Sequence, residues 1–390
     1  MRILLLMPSL TGTGGAERVV DGLSRLFSSA GVEAFEASFD SPGMHRRFEN
    51  STPFYPLGPL PRLSLPFRAF EYFVAAQRLS ALKQKLKIDA TISNLWRSDL
   101  VSIISGGSDR KIALCHINIV GNPRNRMMLR LRPLVAAIYR RFDHVVAVNE
   151  ALSRELADLY TLAPGRVGFV DNFVWRPKAE PQTPREGIKR FVWCGRMCAE
   201  KNVAGLLHAW RTFATAEHGA QLVLLGDGPQ RPELERLARD LGLRAGAIDD
   251  PEAQVAFAGM VAEPEGYMAS GRALAVSSIA EGLPMVVLEA LSLGLPVLAA
   301  DCSAGGVRAA LAGSGVFDPT REEAEPTSSG ALLPTPCANS PRSLELWRAA
   351  FTEALHDDQR WEEWRTGALV RAEHFNPTRA LEKWLAILDA

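Results

Sequence analysis

Along this chain, short runs of Val, Ile and Leu alternate with longer stretches in which apolar residues recur every three or four positions. That alternation predicts strand–helix units laid on parallel sheets. Two series are visible. In the first, strands are expected at 2–7, 33–39, 90–93, 112–115 and 145–148, with helices at 16–29, 68–86 and 131–141 between them. In the second, strands are expected at 191–194, 222–225, 256–258, 273–277 and 297–300, each followed by a helix-compatible stretch. Residues 176–184 are too polar and Pro-rich for either element and read as an interdomain linker. The stretch 318–342, with its Pro, Ser and Thr, reads as a surface loop, and 344–355, 361–373 and 378–388 as three closing helices. The expected architecture is α/β, with Rossmann-like domains at 1–176 and 185–375 and a terminal helix at 376–390 that packs back on the first. Ligands of open parallel sheets bind beyond the carboxyl ends of the strands, so two such sheets predict a ligand in a central cleft.

A length of 390 residues suits two domains rather than one, and 47% hydrophobic with 23% charged residues excludes disorder, collagen and coiled coil. The 44 basic and 44 acidic side chains cancel, so net charge points to no nucleic-acid partner. The halves differ, however: residues 1–180 hold 24 Lys and Arg against 16 Asp and Glu, and the remainder 20 against 28. The basic excess lies in two places. One is 62–87, where Arg62, Arg68, Arg78, Lys83, Lys85 and Lys87 face Glu71 alone among Phe67, Phe70, Tyr72 and Phe73. The other is 124–141, where Arg124, Arg126, Arg130, Arg132, Arg140 and Arg141 sit among Met127, Met128 and several Leu. Such stretches suit adsorption to anionic lipid headgroups. The alternatives are solvated faces of core helices, or a basic wall for a soluble phosphorylated acceptor.

Five cysteines, Cys115, Cys194, Cys198, Cys302 and Cys337, form no CxxC pair and read as reduced core thiols. The apolar stretch 3–7 is too short for a signal-peptide core and reads as a first strand. No segment approaches the ~18 uninterrupted apolar residues of a membrane span. A cytoplasmic protein is expected, with peripheral contact to the cytoplasmic face of an anionic membrane.

The richest chemistry lies in 277–290, SSIAEGLPMVVLEA. Here a strand ends, a loop presents Glu281, and Pro284 suits a first helical turn. Glu289 follows Met285 by four residues and shares its helical face. The amides of Met285, Val286 and Val287 would form an anion site at the helix start. For an isolated pair of glutamates, a dipole-stabilising Glu281 and a surface Glu289 is the alternative. Arg196 and Lys201 follow the strand 191–194 at another helix start, where cations oppose the dipole unless an anion lies between them. Gly14 and Gly15 give a loop that lets backbone approach a diphosphate. That loop fails the G-x-G-x-x-G pattern of dinucleotide enzymes, because Glu17 holds the sixth position. No Asp-x-Asp triplet occurs, so a carboxylate holder for a divalent metal is missing from the sequence.

Two glutamates separated by seven residues in S-x-x-x-E-G-L-P-x-V-x-L-E-A, followed by Gly294-Leu295-Pro296-Val297, resemble the signature of the retaining glycosyltransferases of family 4, which have the GT-B fold. The resemblance extends to Gly14-Gly15-Ala16-Glu17-Arg18, to Gly195-Arg196-Met197 with Lys201 and Asn202, and to Gly226-Asp227-Gly228-Pro229. It implies hexosyl transfer with retention from a nucleotide sugar, UDP- or GDP-linked, to a saccharide or lipid-linked saccharide in cell-surface glycan synthesis. No cofactor and no metal are implied. Arg196, Lys201, Gly14, Gly15, Val286 and Val287 would then hold the diphosphate, Glu289 the ribose, and Gly282, Leu283 and Met285 the donor sugar. Glu281 would face the reacting sugar, as covalent nucleophile or beside a front-face displacement; the sequence leaves both open. His116, at a strand end, would contact the donor sugar or assist at the reaction centre, with a hydrogen-bonded structural histidine as the equal alternative. Asn94, Trp96 and Arg97 are candidates for the acceptor side on position alone. A nucleotide-sugar epimerase, a sugar phosphorylase and a silent nucleotide-sugar-binding partner are the competing functions. Asn172 is followed by Phe173 where the family often has Gly, and Arg308 stands where an acidic residue is common.

Overall fold

The structure is a computed structural model that describes residues 1–12, 14–41, 50–59, 68–117, 126–176, 180–217, 219–313, 317–318 and 320–389. The chain divides into two compact units, Met1–Phe173 with Pro377–Ala390, and Val174–Asn376.

Unit 1 is built on seven strands: β1 (Arg2–Met7), β2 (Glu33–Ser38), β3 (Phe54–Pro56), β4 (Ala90–Asn94), β5 (Arg110–Cys115), β6 (His144–Ala147) and β7 (Val167–Phe169). Their order is β3-β2-β1-β4-β5-β6-β7, and every pairing is parallel. β1 is a run of Ile, Leu and Met because a central parallel strand is covered on both faces. The helix Gly15–Ser29 buries Val19, Val20, Leu23, Leu26 and Phe27, the helical spacing of one apolar stripe. The terminal helix Pro377–Asp389 belongs to this unit: Trp384 meets Phe27 edge-on at 6.1 Å, and Lys383 pairs with Asp171 at 2.9 Å. Phe173, in place of a turn glycine, lays its ring 3.4 Å from where a Cβ on Gly22 would lie.

Unit 2 holds β8 (Lys189–Cys194), β9 (Ala220–Leu225), β10 (Ala245–Gly246), β11 (Val255–Gly259), β12 (Ala273–Val276), β13 (Val297–Ala300), β14 (Glu325–Thr327) and β15 (Gly330–Leu333). The order is β10-β11-β9-β8-β12-β13-β15-β14, with only the β14–β15 pair antiparallel. Phe191 of β8 packs on Trp210, Phe213 and Phe351 at 5.3–5.8 Å between ring centres, so the strand leading to Arg196 rests on a rigid aromatic block.

The stretch 318–342 is not a surface loop. Within it β15 is buried and pairs in parallel with β13, Val297 opposite Gly330 through Ala300 opposite Leu333. Its four-residue apolar run is too short to stand out among Pro and Ser, and Gly330 is required there because a Cβ would lie 2.0 Å from the Val297 carbonyl. The linker expectation at Pro177, Lys178 and Ala179 lies outside the described residues.

Candidate functional site

Each sheet reverses direction once. In unit 2 the reversal falls between β8 and β12, which pair through Phe191–Ala273 and Val192–Leu274. The loops after these strands are far apart in sequence yet adjacent in space, at the carboxyl edge where open sheets take ligands. One carries Gly195, Arg196 and Lys201; the other runs from Ser277 through Glu281 into the helix Met285–Ser292.

The two loops are joined by side chains. Lys201 Nζ lies 2.5 Å from Glu281 Oε1, and the hydroxyl of Ser278 donates to the same oxygen at 2.6 Å. Ser277 Oγ donates to the Lys201 carbonyl at 2.7 Å, and the Ile279 amide to the Glu200 carbonyl at 2.9 Å. Burial alone would lower the Lys201 pKa, but the attraction and hydrogen bond of the Glu281 carboxylate outweigh it and raise it, so the ammonium stays charged. Burial pushes the nearby Cys302 thiol well up, so it stays neutral. Arg196 is exposed and makes no ion pair among the described residues. The picture of two cations awaiting an anion is thus corrected: Arg196 is open, while Lys201 already holds a carboxylate.

Two glycines make this geometry possible. A Cβ on Gly306 would lie 1.5 Å from the Gly282 carbonyl, so the Glu281 loop closes against Gly306 only because no side chain intervenes. A Cβ on Gly226 would lie 1.9 Å from the Gly195 carbonyl, and the Met197 amide donates to the Asp227 carbonyl at 2.9 Å, which fixes the loop bearing Arg196. Asn202, at φ 47°, caps the helix Val203–Ala214 by accepting from the Gly205 amide at 3.2 Å.

Several expectations change at the helix Met285–Ser292. Pro284 is its N-cap rather than its first residue. The Val287 amide donates to the Pro284 carbonyl at 3.1 Å, so it is committed before any ligand arrives. Met285 and Val286 are half-buried at the helix start, and Glu289, one turn on, is buried. Gly282 and Leu283 are buried as well, which leaves Met285 as the one partly accessible residue of the three read as sugar-binding. Arg308 is buried and forked between Asp301 and Glu325, with contacts of 2.6 and 2.8 Å, a structural tie between β13 and β14.

In unit 1 the reversal falls between β1 and β4. Gly14 and Gly15 follow β1 and are exposed, but the Glu17 carboxylate folds over them: a Cβ on Gly14 would meet Glu17 Oε2 at 2.5 Å. Asn94 ends β4 at 0% exposure, so it cannot face an acceptor; its position at a strand end misleads because the side chain turns into the sheet. Trp96 and Arg97 are exposed, with Trp96 tilted against Tyr72 at 6.3 Å. His116, just past β5, is half-buried and holds Asn94 Oδ1 at 2.8 Å through Nε2. Burial lowers its pKa to about 4, so the ring is neutral at neutral pH. Behind it, Asp99 accepts from Ser93 at 2.7 Å and Tyr139 at 2.9 Å, and burial raises its carboxyl to about 7 against those two bonds.

One cation of the basic stretches is withdrawn into the fold. Lys83 is buried against Asp109 at 2.7 Å, with Ser105 and the Gly106 carbonyl as further partners. Arg132 donates to the Leu159 carbonyl and Arg140 to that of Tyr160. Both arginines stay exposed, so their charge remains at the surface, and Lys83 alone of these three is withdrawn from it. Phe70, Phe73 and Leu134 are exposed at 59%, 52% and 59%. Arg62, Phe67 and Arg124, and the side chains of Arg68, Arg126 and Met127, lie outside the described residues. No helix among the described residues is long and apolar enough to cross a membrane. The cysteines are free; Cys337 is exposed and Cys194 half-buried, so two of the five are not core thiols.

Ser277, Ser278 and Gly306 are the residues that sequence reasoning passed over. The two serines lie inside the motif itself, and their polarity at the end of an apolar strand was the available signal. For Gly306 the Gly-Gly pair was the signal, without any means of knowing what approaches it.

Two family models match the chain: Glycosyltransferase Family 4 over residues 13–174, and Glycosyl transferases group 1 over residues 188–324. The amylovoran biosynthesis glycosyltransferase AmsD of Erwinia amylovora is 22% identical over 100% of this chain and 99% of its own length. An N-acetylgalactosaminyltransferase of Campylobacter jejuni that acts on a diphospho-undecaprenol-linked saccharide is 27% identical over 75% of this chain and 79% of its own. Among solved structures, Anabaena HepE in complex with UDP superposes with a TM-score of 0.72 at 18% identity, covering 100% of both chains.

Proposed function

We propose for this chain, which belongs to the family 4 glycosyltransferases of GT-B fold, the transfer of a hexose from a UDP- or GDP-sugar, with retention, to a saccharide or lipid-linked saccharide in the building of a cell-surface glycan. The observation that carries this reading is the meeting of Lys201, Glu281 and Ser278 at the carboxyl edge of β8 and β12, with Arg196 exposed beside them in sequence. Breaking the anomeric C–O bond leaves negative charge on the departing diphosphate, and that charge must be met where it appears. Arg196 offers a fork for phosphate oxygens and Lys201 a point charge. Glu281 holds Lys201 until the diphosphate takes it over, and its carboxylate then faces the sugar. Glu289 serves the ribose. The charge is met by side chains alone, so transfer is metal-independent, a reading supported by the absence of any Asp-x-Asp triplet.

The lipid-linked acceptor is supported by the name of the Campylobacter relative, and a peripheral membrane contact by the exposed rings of Phe70 and Phe73. Sedimentation with anionic vesicles, lost in a Phe70→Ser/Phe73→Ser double variant, tests that contact.

The reaction itself is tested by incubating the protein with each nucleotide sugar and following nucleotide release, then assigning the product anomer by NMR. One donor consumed with its anomeric configuration kept, at a rate unchanged by EDTA, is the expected result. An inverted product or a rate abolished by EDTA would refute retention or metal independence respectively.

A further inference from the structure

The ion pair of Glu281 and Lys201 is held differently at its two ends. The carboxylate receives both of its donors on one oxygen: Lys201 Nζ at 2.5 Å and the hydroxyl of the buried Ser278 at 2.6 Å share Oε1. Oε2 accepts no hydrogen bond among the described residues. An ammonium has three N–H donors, and Glu281 is the one partner of Nζ among those residues. The backbone does not depend on the pair. Ser277 Oγ donates to the Lys201 carbonyl at 2.7 Å, the Ile279 amide to the Glu200 carbonyl at 2.9 Å, and Ser303 Oγ to the Ile279 carbonyl at 3.2 Å. The two loops therefore stay joined when the ammonium lets go. Lys201 is half-buried on a flexible four-carbon stem, so Nζ can leave Oε1 by side-chain rotation alone. Ser278 lies three residues before Glu281 in the same loop, and its hydroxyl is the donor that stays behind.

We propose that Ser278 is a positioning residue that makes this ion pair exchangeable: by keeping its bond to Oε1, it lets Glu281 release Lys201 to a phosphate oxygen while the carboxylate stays in place. Phosphate as the new partner of Lys201 rests on the nucleotide-sugar reading above; the sharing of Oε1 does not. A half-buried carboxylate that loses its cation needs another donor, and a hydroxyl bonded to a charged oxygen is among the stronger ones. That bond gains weight once it is the last one, so its removal costs the nucleotide-bound state more than the free state. Ser278 has no part in holding the phosphate itself, and its effect on nucleotide affinity runs entirely through Glu281.

The test is calorimetry of UDP and of GDP binding to the full chain, as wild type and as a set of variants. Ser278→Ala should bind the nucleotide that the wild type prefers about fivefold more weakly, part of the worth of a hydrogen bond to a charged group. Ser278→Thr keeps the hydroxyl and should restore the affinity; a folded threonine variant as weak as Ser278→Ala overturns the role of that hydroxyl. In Glu281→Ala the serine has nothing to hold, so adding Ser278→Ala should cost no further affinity. A fivefold loss that persists without the carboxylate overturns the proposal. A merely structural serine would lower the thermal midpoint of Ser278→Ala and leave its nucleotide affinity unchanged, which overturns the proposal as well. Where the added methyl group keeps Ser278→Thr from folding, the Glu281→Ala background decides. Failure of both nucleotides to bind, or binding untouched by Lys201→Ala, would overturn the nucleotide reading and the exchange with it. Weakened binding in Lys201→Ala beside unaltered binding in Ser278→Ala would overturn the part given to Ser278 alone.

Discussion

The carboxyl edges of the two sheets are assembled alike and charged differently. In unit 2, loops after β8 and β12 bring an ammonium against a carboxylate, with an exposed guanidinium on the same loop. In unit 1, the ends of β4 and β5 bring a buried amide against a neutral imidazole, backed by an Asp that resists ionisation. Topology alone therefore does not decide what a sheet edge binds. A charged edge of this kind can meet an anion, whereas an edge of neutral amide and imidazole offers hydrogen bonds without charge.

The largest expected effect breaks the charged side. Lys201→Ala removes the point charge and strands the Glu281 carboxylate, so turnover should fall by two or more powers of ten, about 3 kcal/mol of transition-state stabilisation. Arg196→Ala should approach the same loss without harm to stability, since the side chain is exposed and spent on nothing else described. Nucleotide-release assays with near-normal rates in both variants would remove them from the reaction.

A smaller effect of opposite sign sharpens the comparison. Glu281→Gln frees Lys201 from its resident partner, so the bare nucleoside diphosphate should bind about tenfold tighter even as turnover falls. Equal affinity in the wild type and the variant would mean that the pair does not compete with phosphate. Glu289→Ala should weaken donor affinity more than it slows chemistry, because the ribose does not react; an unchanged dissociation constant would take Glu289 out of the site.

The smallest effect lies on the neutral side and is read as stability. Asp99 titrates near 3.8 when unfolded and near 7 when folded, raised by burial with no cation paired to it among the described residues. The folded state holds the proton more tightly, so this contribution is whole below about pH 4 and is lost as pH rises to 7. The thermal midpoint should decline across that window, and Asp99→Asn should flatten the decline, since an amide can accept from Tyr139 and donate to Ser93. A decline of equal steepness in the variant would assign it to other groups.

Much of this was legible in the chain. Continuous apolar runs such as 3–7 and 297–300 mark central parallel strands because both faces are covered, and the loop bearing Glu281 announces itself by a strand end, a proline and a helical stripe. What stayed hidden depends on partners distant in sequence. β15 is four apolar residues whose strand character comes from β13. Asn94 looks like a ligand residue until its neighbours claim both ends of its amide. The basic run 62–87 advertises a charge that Lys83 spends on Asp109 inside the fold. Local composition reports what a side chain is, and only the fold reports what it touches.

The most direct test of the central claim is a calorimetric titration of UDP and GDP into the wild-type protein and Lys201→Ala. The account predicts that one of the two nucleotides binds the wild type and that its affinity drops at least tenfold in the variant. Equal binding to both proteins, or no binding to either, would contradict the assignment of this charged edge to a nucleotide diphosphate.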